Sequence, residues 1–226
     1  MDRIRRVFLF CLLLCYCMGA TACAAAAEQK PKTEPLDPAD QQMIQKLEKQ
    51  ERIDIGSGVT ILGPAEAKPQ QMVRYIRMHN AAPKLNCSVE ELVSYYYQEG
   101  TAEGVRPDVA LCQAIKETGC FGYGGDVTAA QNNYCGLGAT GHGARGSFFV
   151  TPQRGVRAHI QHLMCYATTR LPKTDILDTR YDVLRTKYAK YYGKIPYWTG
   201  LNGKWAVPGK NYGQEILQIW QEAKAL

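Results

Sequence analysis

Between Val127 and Thr174 this chain contains neither Asp nor Glu. The gap excludes a pair of carboxylates within that stretch, so acid–base chemistry near it must draw on the acids just before it, Glu117 and Asp126. Lys and Arg form no dense cluster or stripe, which argues against a nucleic-acid reader. No internal repeat is present, which excludes a repeat architecture. The apolar run at residues 7–18 is too short to span a bilayer comfortably.

What is present suffices for one substantial core: 226 residues, 46% of them hydrophobic and 21% charged. Residues 1–27 read as an export signal, with Arg3, Arg5 and Arg6 as its basic start and residues 7–18 as its apolar centre. Small residues then precede Cys23 in Ala20-Thr21-Ala22-Cys23. That arrangement admits two fates: cleavage in the Ala-rich run with soluble release, or cleavage after Ala22 with lipidation of Cys23, which would attach the chain to a membrane. Residues 28–68 begin as a polar, Pro-punctuated tether, with a short helix expected over 41–50, and residues 69–226 form the folded domain. Of the formal +6 charge, +2 belongs to the signal, leaving about +4, which suits loose attraction to an anionic polymer such as a cell wall.

Five of the nine cysteines, Cys87, Cys112, Cys120, Cys135 and Cys165, fall in the folded domain. Export permits disulfides, and an odd number leaves at least one cysteine unpaired unless Cys23 or another chain joins it. His159 and His162 precede Cys165 at helical spacing, but a small buried cysteine is the commoner outcome than a thiolate nucleophile. The same trio lacks a defined further ligand, so no metal and no cofactor is expected.

Helical signals dominate from residue 69. Met72, Tyr75, Ile76 and His79 lie at amphipathic spacing, and Ser88-Val89-Glu90-Glu91 is a capping box. Pro107 and Asp108 open a third helix that runs to Thr118 and stops at Gly119. Val109, Cys112 and Ile115 can face a core, with Ala110, Gln113, Ala114 and Glu117 on the neighbouring face. A carboxylate in the last turn of a helix meets the negative end of the helix dipole, so Glu117 is poorly placed for stability alone. Residues 119–150 that follow are rich in Gly, Asn and aromatic residues and carry no helical period. A segment of that length without regular structure inside a compact domain is usually functional. Further helices are expected from Thr151-Pro152 to Thr168, over 181–192, and over 212–223.

Several ordered motifs carry a resemblance: Ala-Ile-Lys-Glu-Thr-Gly, Gly-Gly-Asp-Val, Gln-Asn-Asn-Tyr-Cys-Gly-Leu-Gly-Ala-Thr-Gly, Gly-Val-Arg-Ala-His-Ile-Gln-His-Leu and Leu-Asn-Gly-Lys-Trp-Ala-Val-Pro-Gly. From about residue 70 to the end, the chain resembles the glucosaminidase family of bacterial peptidoglycan hydrolases, the mannosyl-glycoprotein endo-β-N-acetylglucosaminidase-like group. The resemblance implies an α+β, mainly helical, lysozyme-like fold with a small glycine-rich β/loop lobe. It also implies cleavage of the β-1,4 bond between N-acetylglucosamine and N-acetylmuramic acid in peptidoglycan glycan strands, and it places the family's catalytic glutamate on Glu117.

The chemistry fits that placement. A sugar alkoxide is a poor leaving group, so an acid that stays protonated near neutral pH must protonate the glycosidic oxygen, and a helix C-terminus beside Phe121 and Tyr123 pushes a Glu that way. Asp126 is the one acid left in the glycine-rich lobe; it is either the base for an inverting water or a turn-forming residue after two glycines. Substrate assistance by the sugar's 2-acetamido oxygen would need no second carboxylate. Gln113, Tyr123, Asn132, Asn133 and Tyr134 are expected to line the cleft, although Asn-Asn is also ordinary turn chemistry. Tyr166, one turn beyond His162, points either into the cleft or into the core, and Trp205 is expected to buttress the fold rather than touch sugar. A lytic transglycosylase or an idle wall-binding module are the competing functions, and the chain is expected to act as a monomer.

Overall fold

The computed structural model describes residues 38, 41, 42, 58–139, 143 and 145–226. The export signal, Cys23 and nearly all of the helix expected over 41–50 lie outside these residues. The chain divides into two compact units, Met1–Gln41 and Gln42–Leu226, and everything below concerns the second.

Helix α1 (Pro69–His79) begins with Pro in its first turn and buries Met72, Tyr75 and Ile76, the stripe its sequence spacing predicts. Helix α2 (Val89–Glu103) starts on the Ser88/Glu91 capping box and stops where Gly104 takes a left-handed conformation, φ 74°. Helix α3 (Pro107–Glu117) is buried at every residue from Pro107 to Ile115. The two-faced reading of this helix therefore understates its burial: α1, α2, α4 (Pro152–Ala167) and α6 (Tyr212–Lys224) all pack on it. Small residues, Ala110 and Ala114, let that happen on the face that also carries Gln113.

Asp108 fixes the start of this central helix. Its fully buried carboxylate accepts from the backbone N–H of Glu66 (2.8 Å), Ala67 (2.9 Å) and Val109 (3.0 Å) and from the indole N–H of Trp220 (2.7 Å). A helix N-terminus favours the negative charge, and the four donors satisfy it, so one side chain joins the 58–68 segment, α3 and α6. That segment, assigned above to the tether, is part of the domain: Ile61 is fully buried, Thr60 bridges Tyr197 and Leu62 bridges Val105. The domain begins no later than residue 58.

The glycine-rich lobe takes the loop form rather than the β form. Among its described residues there is a 3₁₀ turn, Ala129–Gln131, and no strand; the isolated bridges join Thr60 to Tyr197, Leu62 to Val105 and Asn202 to Ala206. Side-chain amides replace a ladder. Asn133 donates to the carbonyls of Leu137 (2.9 Å) and Ser147 (3.1 Å) and accepts from the Leu137 N–H (2.9 Å), while Asn132 donates to Phe149 (2.8 Å). Cys120, Phe121, Tyr123 and Asn132 all adopt positive φ, conformations that non-glycine residues hold only when their surroundings impose them.

The helix expected over 181–192 ends early. Helix α5 is Tyr181–Thr186, and the chain then turns so that the N–H groups of Gly193 and Ile195 reach the carbonyls of Cys165 (2.8 Å) and Tyr166 (2.9 Å) at the end of α4. The turn needs glycine there: Gly193 takes φ 66°, and a Cβ would meet Thr169.

Candidate active site

Glu117 closes α3 at the floor of a groove. One compartment, about 360 Å³, is lined by Glu117, Tyr123, Asp126, Asn133 and Gly136 of the glycine-rich lobe. A second, about 280 Å³, is lined by Glu117, Gly136, His162, Tyr166, Arg180 and Trp205. A third, about 340 Å³, shares His162, Tyr166, Arg180 and Trp205 with the second and adds Tyr188 and Tyr191. Because neighbouring compartments share walls, they form one groove with Glu117 at the first boundary. A larger cavity, about 850 Å³, lies between α1 and α2 with no part in this groove; its ionisable lining residues are Glu90 and Tyr97, so it offers no comparable acid–base pair.

The Glu117 side chain keeps contact with solvent along the groove, yet its carboxylate lies among enough protein atoms for loss of solvation to raise its pKa above the ordinary carboxylate value. Hydrogen bonding from Tyr212, the charge of Lys116 and the Trp205 indole pull the other way without cancelling the effect. Lys116 is itself paired with Glu215, which weakens its hold on Glu117.

A buried chain of hydrogen bonds stands behind the acid. The Tyr212 hydroxyl donates to Glu117, and the Gln113 amide donates to the same hydroxyl at 2.6 Å. The Gln113 carbonyl lies 3.0 Å from His159 Nε2, and His159 Nδ1 lies 2.9 Å from the Tyr96 hydroxyl. These partners assign the direction: a carbonyl only accepts, so His159 carries its proton on Nε2 and takes the Tyr96 proton on Nδ1. Full burial pushes the His159 pKa down to about 3, which keeps the ring neutral and that tautomer intact.

The predicted residues separate into those at the groove and those behind it. Glu117, Tyr123, Asp126, Asn133 and Tyr166 line it. Gln113 does not: it is fully buried, with both ends of its amide engaged by Tyr212 and His159. Asn132 is buried and holds Phe149 and Asn86. Tyr134 is packed edge-on against Phe121 and Tyr96, ring centroids 6.3 and 6.4 Å away. In all three cases packing and turn closure use the polar or aromatic groups that substrate contact would need. Asn133 is on the wall, but its amide is occupied by the loop.

Trp205 packs as expected and also reaches the groove. It packs on His162 (4.9 Å), Tyr166 (5.6 Å) and His159 (5.8 Å), and it also lines the second and third compartments. Sequence reasoning missed Tyr212, His162 and Arg180 at this site; the only local signal for Tyr212 was its place at the start of the last helix. His159 and His162 are both committed to protein partners, His162 through a 2.8 Å bond from Nδ1 to the buried carboxylate of Asp178. Cys165 is buried, and desolvation pushes its thiol far above the usual range, so it is no thiolate nucleophile; Cys87, Cys112, Cys120 and Cys135 are likewise unpaired. Among the described residues no cluster of His, Cys, Asp and Glu has the form of a metal site.

The family described as mannosyl-glycoprotein endo-beta-N-acetylglucosaminidase matches residues 93–225, from within α2 through the last helix. An uncharacterized protein of Borreliella burgdorferi is 30% identical over 163 residues, covering 72% of this chain and 76% of that protein. No solved structure matches the chain. Since the matched residues take in Glu117, the glycine-rich lobe and Tyr212, over more than half the chain, the protein belongs to the glucosaminidase family.

Proposed function

We propose that this chain hydrolyses the β-1,4 bond between N-acetylglucosamine and N-acetylmuramic acid in peptidoglycan, with Glu117 as general acid. Membership of the family supports a glycoside hydrolase of the peptidoglycan-hydrolase type, acting outside the cytoplasm. The observation that carries the finer reading is Glu117 itself, a carboxylate with an upward-shifted pKa where two compartments of one groove meet. A groove continuing on both sides suits a cut within a polymer. Glu117 donates its proton to the glycosidic oxygen as the bond breaks, and the Tyr212 hydroxyl holds the carboxyl group in one orientation. No cofactor is required. Attachment to a membrane would run through a lipidated Cys23; no helix among the described residues is long and apolar enough to cross one.

Among the described residues Asp126 is the only other acid lining the first compartment, and none besides Glu117 lines the second. That shortage favours assistance by the 2-acetamido group, and it equally leaves open the related lytic transglycosylase chemistry, in which a muramoyl hydroxyl replaces water. Proton NMR within minutes of cleavage decides among them. Retained β-configuration, with Asp126→Asn losing no more than ~10-fold, is expected for substrate assistance, whereas a true base would cost ~10²–10⁴-fold. An initial α-anomer paired with a dead but folded Asp126→Asn would make Asp126 the base. Absence of any new reducing end would replace hydrolysis with transglycosylation.

A further inference from the structure

The third compartment differs in charge from the rest of the groove. Its walls are the rings of Tyr166, Tyr188, Tyr191 and Trp205, and its cations are Arg180 and Lys204. Among the described residues neither Asp nor Glu lines it. Arg180 is half-buried, and among the described residues no carboxylate pairs with its guanidinium; the nearby acid Asp178 is buried beneath, accepting from His162 Nδ1 and from the Arg180 backbone N–H at 2.8 Å each. Lys204 spends one N–H on the Gly200 carbonyl (2.7 Å) and keeps two. The surrounding rim adds positive charge: Lys187 and Lys190 lie over the rings of Tyr188 (5.8 Å) and Tyr191 (4.9 Å), and Asp182, on the adjoining helix α5, is paired with Arg185. This end of the groove therefore carries cations without a lining acid among the described residues.

Stacked rings accept the faces of sugars or flat amides, and they do so without charge. An unpaired guanidinium and an ammonium, set at a partly desolvated wall, need an anion to offset the cost of their position. A guanidinium fork matches a carboxylate geometrically, with two parallel N–H groups facing two oxygens. Resting on the peptidoglycan reading above, we propose that the Arg180–Lys204 compartment is a subsite for a carboxylate carried by the glycan, so that the protein selects anionic wall strands over neutral chitin-like ones. Two sources share that chemistry: the free lactyl carboxylate of a peptide-stripped muramoyl residue, and a carboxylate of the attached peptide stem.

The test measures binding rather than turnover, using the full-length Glu117→Gln protein and calorimetry on three probes of equal glycan length. These are peptide-stripped wall glycans, stem-bearing wall glycans and neutral chitooligosaccharides. Either anionic probe is expected to bind roughly tenfold or more tighter than the neutral one, since a charge-assisted bidentate pair is worth at least that factor. Adding Arg180→Gln should collapse this ratio toward one, Arg180→Lys should restore part of it, and raised salt should erode it because the subsite is open to solvent. Preference for the stripped probe assigns the lactyl group and preference for the stem-bearing probe assigns the stem; both support the subsite. Equal binding of neutral and anionic probes, a uniform loss in Arg180→Gln, or no binding of any probe would overturn it. Selective binding by Glu117→Gln together with no hydrolysis by wild type would instead sink the enzymatic reading and leave the subsite standing.

Discussion

Glu117→Gln is expected to lower peptidoglycan lysis by ~10²–10⁴-fold, the usual contribution of a positioned general acid, while leaving the fold intact. Gln keeps the shape and still accepts the Tyr212 hydrogen bond, but it has no proton to give. The pH dependence has a definite sign. Loss of solvation holds the folded-state pKa of Glu117 above its unfolded value of 4.5, so ionising it costs more in the folded protein than in the unfolded chain. Wild-type activity should therefore fall as pH rises through that raised pKa. Over the same range the wild type loses stability relative to Glu117→Gln, so at neutral pH the variant should melt no earlier than wild type. Thermal unfolding at several pH values together with turbidity-based lysis checks both halves. Near-normal lysis by the folded variant would remove Glu117 from the role of acid.

The second large effect is expected at Gly155 in the first turn of α4. A Cβ there would sit 1.8 Å from the Asn132 carbonyl oxygen, well inside any tolerable contact. Asn132 cannot easily retreat: it holds a left-handed φ of 50°, donates to Phe149 and accepts from Asn86. Helix propensity favours Ala over Gly by about 1 kcal/mol, but overpacking of this severity costs roughly 1–3 kcal/mol or more, so the clash wins. Gly155→Ala should lower the melting temperature, at roughly 2–4 °C per kcal/mol lost for a chain of this size, and should weaken lysis by displacing Asn133 and Gly136 from the groove wall. An unchanged melting temperature would show that the lobe and α4 are not locked together at this point.

Local punctuation was readable along the chain because its causes are local. The Ser88/Glu91 box, Pro107 at the first position of α3 and the end of that helix before Gly119 appear where the residues place them. The place of Glu117 at the groove was legible for a related reason, since a carboxylate against a helix C-terminus is a local conflict and the glycine-rich run after it is a local anomaly. What failed depends on partners distant in sequence. Gln113 looks like a groove residue until Tyr212, 99 positions later, closes over it. Helix α5 stops short because the end of α4 captures the backbone of Gly193 and Ile195, a contact that periodicity does not encode. The 58–68 segment reads as tether by composition, yet Asp108 draws two of its backbone N–H groups into the core. Trp205 was assigned to packing alone because bulk is its commoner use; the structure gives it packing and a groove wall together.

Glycosidic hydrolysis of the wall by Glu117 is tested most directly by mass spectrometry of peptidoglycan digested with wild-type protein beside an equal amount of Glu117→Gln. Fragments ending in reducing N-acetylglucosamine, abundant with wild type and nearly absent with the variant, are the predicted result. Fragments ending in 1,6-anhydromuramic acid, or equal release by both proteins, would contradict it.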